Sequence, residues 1–197
     1  MPERTLILVK HARPEILPEL PPNRWRLSDE GRRDCAALAK RLREYAPSVI
    51  VSSEEPKAIE TARIVAERMD VNRCVHHNLH EHDRTGAPFG TEAEFRLSAR
   101  KFFRNPETLV WGNETAAQAR DRFTGAIDAV LQQYRESNVV VVTHGTVISL
   151  FIAQHSDIEG YELWLELGLA SFCVLSLPEF ELRNTIRSAT QSPPLAL

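Results

Sequence analysis

The sequence predicts an α/β protein with three layers, α/β/α, in which a mostly parallel, open sheet carries helices on both faces. Short, continuously apolar segments, typical of strands buried on both faces, alternate along the chain with segments of helical periodicity. The length of 197 residues suits one domain with a sizeable core. The sequence shows no internal repeat or interdomain linker, so we expect a single domain.

The first half of the chain alternates strand and helix. Leu6–Val9 is an apolar run that predicts a strand, and the four prolines between positions 14 and 22 predict a loop after it. Ser28 fits the N-cap of the next helix, because two acidic residues follow it in the first turn. Val49–Val51 predicts the second strand. A helix is expected over residues 56–69, with proline in its first turn.

The middle of the chain is less regular. Residues 74–112 show no sustained period, and we interpret them as an insertion beside the functional site. Within them, Val75 indicates the start of a third strand and residues 92–103 indicate a helix. Thr115 and Gln118 form the pattern of a capping box, which predicts a long helix after them.

The last third returns to regular alternation. Val139–Val142 is the strongest strand signal of the chain, and a helix is expected from residue 147 to residue 153. Residues 172–177 and 180–182 are predicted to be closing strands. The domain is therefore expected to span residues 1–184. The polar remainder, residues 185–197, contains two adjacent prolines and is predicted to be a flexible tail.

Composition and charge narrow the function classes. The formal net charge is -3, so neither nucleic acid nor an anionic membrane surface is an expected partner. The apolar run near the N-terminus is too short for a signal peptide or a membrane span. The three cysteines, Cys35, Cys74 and Cys173, show neither metal-ligand spacing nor a disulfide framework, which favours the reducing cytoplasm.

Polar residues follow three of the apolar strands at the points where they end. Lys10 and His11 follow the first strand, Ser53 and then Lys57 follow the second, and His144 follows the strand at 139–142. Ligands of open α/β sheets bind beyond the carboxyl ends of the strands. If these strands are neighbours, two histidines and two lysines converge on one pocket, which suits a dianion such as a phosphate group.

Residues 8–12, Leu-Val-Lys-His-Ala, resemble the Leu-Val-Arg-His-Gly signature of the histidine phosphatase (phosphoglycerate-mutase-like) superfamily. Further segments are similar to later motifs of the family and occur in its order. They are residues 27–31, 52–62, 79–81, 112–115 and 140–145. Together the motifs cover most of the chain, from about residue 5 to residue 177, which makes the resemblance specific although each motif alone is weak.

The resemblance implies a metal-independent phosphatase without a cofactor. His11 would attack phosphorus and form a phosphohistidine. Lys10, Lys57 and His144 would hold the phosphoryl oxygens, and Glu81 would protonate the leaving oxygen. The implied ligand is a small-molecule phosphate ester or inorganic phosphate, and the expected location is the cytoplasm.

Several assignments have alternatives. Asp83 competes with Glu81 as the proton donor. Ser53 either donates to phosphate or only caps the next helix, and Arg13 either reaches back over the pocket or faces solvent. The histidines between positions 76 and 82 could bind metal adventitiously, without forming a dedicated site.

Three positions depart from the family pattern. Lys10 and Lys57 stand where the family has arginine, and Ala12 stands for its glycine. Lysine keeps the charge but loses the planar, bidentate geometry. A phosphate- or phosphoprotein-binding pseudo-enzyme is therefore an alternative function, as are phosphoglycerate-mutase-type transfer and phosphohistidine-protein phosphatase activity.

The oligomeric state is open at this stage. Trp164, Leu165 and Leu167 indicate either an apolar patch that could form a homodimer or a part of the core.

Overall fold

The computed structural model describes residues 4–87 and 90–190. These residues form one mixed sheet with helices on both faces. The strands are β1 (Thr5–Lys10), β2 (Val49–Ser52), β3 (Asn72–Val75), β4 (Val139–Thr143), β5 (Phe172–Ser176) and β6 (Leu182–Ile186). The helices are α1 (Asp29–Leu42), α2 (Pro56–Met69), α3 (Glu92–Arg104), α4 (Ala116–Gln133), α5 (Gly145–Gln154) and α6 (Gly160–Glu166), with short 3-10 turns at Pro22–Arg24 and Arg43–Tyr45.

The strand order of the described sheet is β3-β2-β4-β1-β5-β6. The four strands β3, β2, β4 and β1 run parallel to one another. Strand β5 pairs antiparallel with β1 on one side and with β6 on the other. Lys10 is in register with Thr143, and Ser52 with Val142. The strands that were expected to carry the site, β1, β2 and β4, are therefore direct neighbours whose carboxyl ends lie at one edge of the sheet.

The two faces of the sheet are covered by different helices. Ile7 and Val9 of β1 belong to a core shared with α1 and α2. Leu6 and Leu8 point the other way, into a core shared with α4, α5 and α6. This alternation is what a strand covered on both faces requires. The predicted three-layer, mostly parallel architecture is confirmed.

The C-terminal boundary differs from the prediction. The strand expected at residues 180–182 is wrong, because Phe180 has a φ of 57° in a turn and β6 occupies Leu182–Ile186. The domain also continues past the expected boundary at residue 184, since the N–H of Ala189 donates to Ala170 O and Ala189 is buried. Residues 191–197 of the predicted flexible tail lie outside the described residues.

The segment between β3 and α4 folds back onto itself beside the sheet edge. It contains α3, which begins with a complete capping box between Thr91 and Glu94. Gly112 has a φ of 72°, and a Cβ atom there would lie 2.2 Å from Asp83 O. The close approach of these two loop positions therefore requires glycine at position 112.

The possible dimer patch divides between core and surface. Leu167 is buried in the core, Trp164 is half-buried and Leu165 is exposed. In the part of the chain that the structure describes, no helix is both long and apolar enough to cross a bilayer.

Candidate active site

The two histidines that follow strands meet at the sheet edge. The N–H of His11 donates to Thr143 O at 3.0 Å, and the N–H of Ser53 donates to Val142 O at 2.9 Å, so the chain after β1 and β2 stays tied to β4. The ring centroids of His11 and His144 are 5.2 Å apart, with an interplanar angle of 63°. The strand pairing therefore brings both rings to one place.

The ring of His11 is oriented by a backbone carbonyl. Its Nδ1 lies 2.8 Å from Ala12 O, and because a carbonyl can only accept, Nδ1 carries the proton. Among the described residues, no hydrogen bond uses Nε2, so its lone pair is available for a ligand. Burial, followed by the neighbouring His144 and Lys57, holds the pKa of His11 well below its usual value. His11 is therefore a neutral imidazole at neutral pH.

The backbone after His11 is fixed to α2. The N–H of Ala12 donates to Thr61 Oγ1 at 3.1 Å, and the same hydroxyl donates to Lys57 O at 2.7 Å. Ala12 is not among the residues with positive φ, so alanine replaces the family's glycine there without backbone strain.

His144 is fully buried at the N-terminus of α5. Its Nε2 lies 3.0 Å from Ser53 Oγ and 3.4 Å from Glu55 Oε1, while its Nδ1 is buried without a partner among the described residues. Burial, followed by the charge of Lys57, lowers its pKa well below the usual value. Ser53 therefore orients a histidine, and it also accepts from the N–H of Glu55 at 3.3 Å.

The two lysines both face protein acceptors. Lys10 Nζ donates to Leu167 O at 2.7 Å, and burial lowers the pKa of Lys10. Lys57 Nζ donates to Pro22 O at 2.8 Å and forms a buried ion pair with Glu55 Oε2. Each ammonium group has three donors, so each keeps at least one for a ligand.

Glu81 is held against the N-terminus of α5. Its carboxylate accepts from the N–H of His82 at 2.9 Å and from the N–H of Thr146 at 3.2 Å. Burial acts to raise the pKa of Glu81, but His144, Arg84 and the two N–H groups outweigh it and hold the pKa below its usual value. The carboxylate is thus ionised in the unliganded protein and sits beside His144.

The rival carboxylate, Asp83, belongs to the loop network. Its Oδ1 accepts from the N–H of Thr85 at 2.9 Å, and its Oδ2 accepts from Asn113 Nδ2 at 3.1 Å. These contacts bind two parts of the insertion to each other. Of the two candidates, the structure brings Glu81 to the histidines and uses Asp83 to shape the loop.

Arg122 anchors the segment that carries Glu81. Its guanidinium donates to His80 O at 3.0 Å and pairs with both carboxylate oxygens of Glu114, at 2.7 and 3.1 Å. A second tie comes from the end of β4, where Thr143 Oγ1 donates to Leu79 O at 2.6 Å. The insertion is therefore fastened to α4 and to the sheet at its N-terminal side.

Arg13 does not join this cluster. Its Nε lies 3.2 Å from Glu30 Oε2 of α1, and both side chains are exposed. The turn into α1 packs directly on this backbone, since a Cβ at Gly31 would lie 2.1 Å from Arg13 O. The hypothesis that Arg13 compensates for the missing arginines by reaching over the pocket is corrected: the side chain is turned toward α1.

An open pocket of about 380 Å³ adjoins the cluster: Glu55, Lys57 and Glu81 belong to its lining, whereas His11, His144 and Lys10 do not. Its charged lining is nearly balanced between acids and bases: Glu54, Glu55, Glu81 and Asp83 against Arg24, Lys57 and Arg84. Within the described ranges, no group of three or more His, Cys, Asp or Glu side chains is arranged to hold a metal ion, and this includes the histidines between positions 76 and 82.

Sequence reasoning missed two residues that organise the site, Glu55 and Arg122. The only signal for Glu55 is its place directly before Pro56, where an acidic residue is usually explained by the helix dipole. Arg122 lies inside a helix, where a lone basic residue is typical of a solvated face.

Comparison with known proteins identifies the family to which the chain belongs. Residues 6–185 match the histidine phosphatase superfamily (branch 1). Phosphoglycerate mutase-like protein 4 of Arabidopsis thaliana is 32% identical over 130 residues, which are 62% of this chain and 56% of that relative. The match thus spans little more than half of that relative's length.

Solved structures share the fold. A mycobacterial glucosyl-3-phosphoglycerate phosphatase in complex with inorganic phosphate has a TM-score of 0.75 at 25% identity, covering 96% of this chain and 100% of its own. A phosphoserine phosphatase of Entamoeba histolytica in complex with phosphoserine has a TM-score of 0.74 at 16% identity, covering 95% and 98%. These likenesses show the fold, and the family match over residues 6–185 establishes that the chain belongs to the histidine phosphatase superfamily.

Proposed function

We propose that this protein is a metal-independent phosphatase that hydrolyses a phosphomonoester through a phosphohistidine on His11. The observation that carries the proposal is the state of His11: a neutral ring whose Nδ1 is fixed on Ala12 O and whose Nε2 is free. Such a ring is a nucleophile held in one orientation. Cationic side chains at Lys10 and Lys57 flank it and supply the charge that a phosphoryl group needs.

In the first step, His11 Nε2 attacks phosphorus and the bond from phosphorus to the leaving oxygen breaks. The ammonium groups of Lys10 and Lys57 stabilise the charge on the equatorial oxygens, which is where most catalysis of phosphoryl transfer arises. Glu81 gives its proton to the leaving alcohol. An anionic substrate beside the Glu81 carboxylate raises its pKa, so that the carboxyl group is protonated in the complex.

In the second step, Glu81 as carboxylate accepts a proton from water while the water oxygen attacks phosphorus. The bond between phosphorus and His11 Nε2 breaks, and inorganic phosphate leaves. His144 lies within reach of the same site and supports the oxygens of the transferring group. The basic side chains neutralise the phosphoryl charge without a metal ion.

The relatives support a small substrate. The mycobacterial structure is described as a glucosyl-3-phosphoglycerate phosphatase and the Entamoeba histolytica structure as a phosphoserine phosphatase. The substrates that these two descriptions name are phosphomonoesters of small polar molecules. A pocket of about 380 Å³ is of the size that such molecules fill.

The test is hydrolysis of an aryl phosphate between pH 4 and pH 8, with EDTA present, in wild type and in His11→Ala. We expect turnover that resists EDTA and is lost in the variant. The matched control is His77→Ala, which removes a histidine whose side chain is 90% exposed. Equal activity of wild type and His11→Ala, or loss of activity with EDTA, would contradict the proposal.

A phosphate-binding module without turnover is a second candidate. It is favoured by one observation, that both lysines already bond to protein acceptors, Lys10 to Leu167 O and Lys57 to Glu55. Binding of inorganic phosphate to a wild type that hydrolyses no phosphate ester would support it.

A further inference from the structure

The carboxylate of Glu55 lies among donors that a phosphoryl group would use. Its Oε2 pairs with Lys57 Nζ, and its Oε1 lies 3.4 Å from His144 Nε2. Oε1 also accepts from the N–H of Glu81 at 2.9 Å. Both side chains of the pair with Lys57 are buried, at 6% and 7% exposure. A buried carboxylate therefore lies between these groups.

The Glu55 carboxylate lies among several ionisable groups. Glu55 forms an ion pair with Lys57 there, the pKa of Glu81 is held low by His144 and Arg84, and burial lowers the pKa of both histidines. A phosphate dianion that enters meets an internal carboxylate already bonded to Lys57. Two anions that share one ammonium group at a distance of a few ångströms repel each other strongly when they are shielded from water.

The position of Glu55 is fixed by its backbone. Glu55 is the N-cap residue of α2, its N–H donates to Ser53 Oγ, and its carbonyl accepts from the N–H of Ala58 and Ile59. Pro56 follows it in the first turn. The backbone therefore stays in place, and only rotation of the side chain can take the carboxylate away from Lys57 and His144.

We propose that Glu55 is the affinity-setting residue of the phosphoryl subsite: its carboxylate contacts Lys57 and His144 and competes with the phosphoryl group for them. This inference rests on the proposed function for the identity of the ligand. The competition weakens the binding of phosphate and speeds its release. The ion pair also fixes the position of the ammonium group of Lys57, which stands where the family has arginine.

The test measures binding of inorganic phosphate by calorimetry at pH 7 to wild type, Glu55→Gln and Glu67→Gln. Glutamine at position 55 keeps the size and an acceptor oxygen but removes the charge, so we expect phosphate to bind about tenfold more tightly or better. Glu67→Gln makes the same charge change on an exposed side chain of α2 that pairs with Arg63, and it should alter affinity less than twofold.

A double-mutant cycle separates competition from a general change in the fold. In the Lys57→Gln background the shared ammonium is gone, so Glu55→Gln should change phosphate affinity much less than it does in wild type. Thermal unfolding checks each variant, and Glu55→Ala replaces Glu55→Gln if the latter does not fold. Unchanged or weaker binding of phosphate by folded Glu55 variants overturns the inference.

The result for Glu55 is distinguishable from the result for the proposed function. A wild type that hydrolyses aryl phosphates, with no gain of phosphate affinity in Glu55→Gln, overturns the role of Glu55 alone. A wild type without turnover whose Glu55→Gln variant gains phosphate affinity supports the role of Glu55 and overturns the proposed hydrolysis.

Discussion

Gly145 leaves the space that the side chain of Lys10 occupies. A Cβ atom at Gly145 would lie 3.2 Å from both Cε and Nζ of Lys10, closer than ordinary van der Waals contact. Gly145 is also the first residue of α5, directly after His144. The glycine that follows the second histidine thus leaves room for the side chain of the lysine that precedes the first one.

Gly145→Ala should displace the Lys10 ammonium from Leu167 O with little loss of stability, because the far end of a flexible side chain can move. We expect kcat/KM to fall by roughly tenfold to a hundredfold, since a misplaced donor loses part of its transition-state stabilisation. The control is Gly125→Ala in α4, where a Cβ meets nothing within 4 Å. That variant should keep full activity and gain about 0.5–1 kcal/mol in the free energy of unfolding. Equal activity of both variants would contradict the role of Lys10.

Glu81→Gln should affect poor leaving groups more than good ones. Hydrolysis of an alkyl phosphate needs a proton on the leaving oxygen, so its kcat should fall by about 10²–10⁴. An aryl phosphate with an acidic phenol needs little protonation and should lose far less in the first step. The control is Asp83→Asn, which removes the rival carboxylate from the loop network. A larger loss of alkyl phosphate hydrolysis in Asp83→Asn than in Glu81→Gln would reverse the assignment.

The low pKa of His11 predicts activity in mild acid. The active form is the neutral ring, and a lowered pKa keeps His11 neutral below pH 6.5, the range in which an ordinary histidine takes up a proton. We expect no loss of kcat/KM between pH 7 and pH 6, because that ratio reports ionisations of the free enzyme. Lys57→Gln removes one charge that lowers the pKa, so its acid limb should move to higher pH. A wild-type limb centred near pH 6.5 would contradict this.

Arg122→Gln should lower activity although the residue touches no substrate. It removes the donors to His80 O and to Glu114, so the segment that carries Glu81 loses its anchor on α4. We expect kcat for an alkyl phosphate to fall by roughly a hundredfold, as for a catalytic group displaced by about 1 Å. The control is Arg120→Gln, two residues earlier, which breaks only a contact to Asp121. Hydrogen exchange should show faster opening at residues 79–82 in Arg122→Gln alone.

The buried strands were predictable because a strand covered on both faces is a continuous apolar run. β1 and β4 are such runs, and the polar residues that end them could be assigned to one sheet edge before the pairing was known. The helix expected at residues 56–69 has those bounds, since proline fixes its start.

β6 was misplaced because it is an edge strand. Its residues, Leu182–Ile186, are partly or fully exposed, so alternation is weak and polar side chains dominate. The same limit applies to Glu55. The sequence pattern does not distinguish the two adjacent glutamates, yet Glu54 is exposed and Glu55 is buried beside Lys57. Only the contacts of the Glu55 side chain with Lys57, His144 and the N–H of Glu81 distinguish them.

The insertion is attached to α4 and to the end of β4 by contacts of its own, and this has a consequence for protein engineering. His11 and His144 directly follow strands of the sheet. Glu81 instead lies on a segment that Arg122 and Thr143 hold through the carbonyl groups of His80 and Leu79. If residues 112–115 are kept, so that Glu114 still pairs with Arg122, the chain from Thr85 to Trp111 can be exchanged while the Glu81 segment keeps these anchors. Loop grafting from other members of the superfamily is therefore a route to new alcohol selectivity on an unchanged reaction centre.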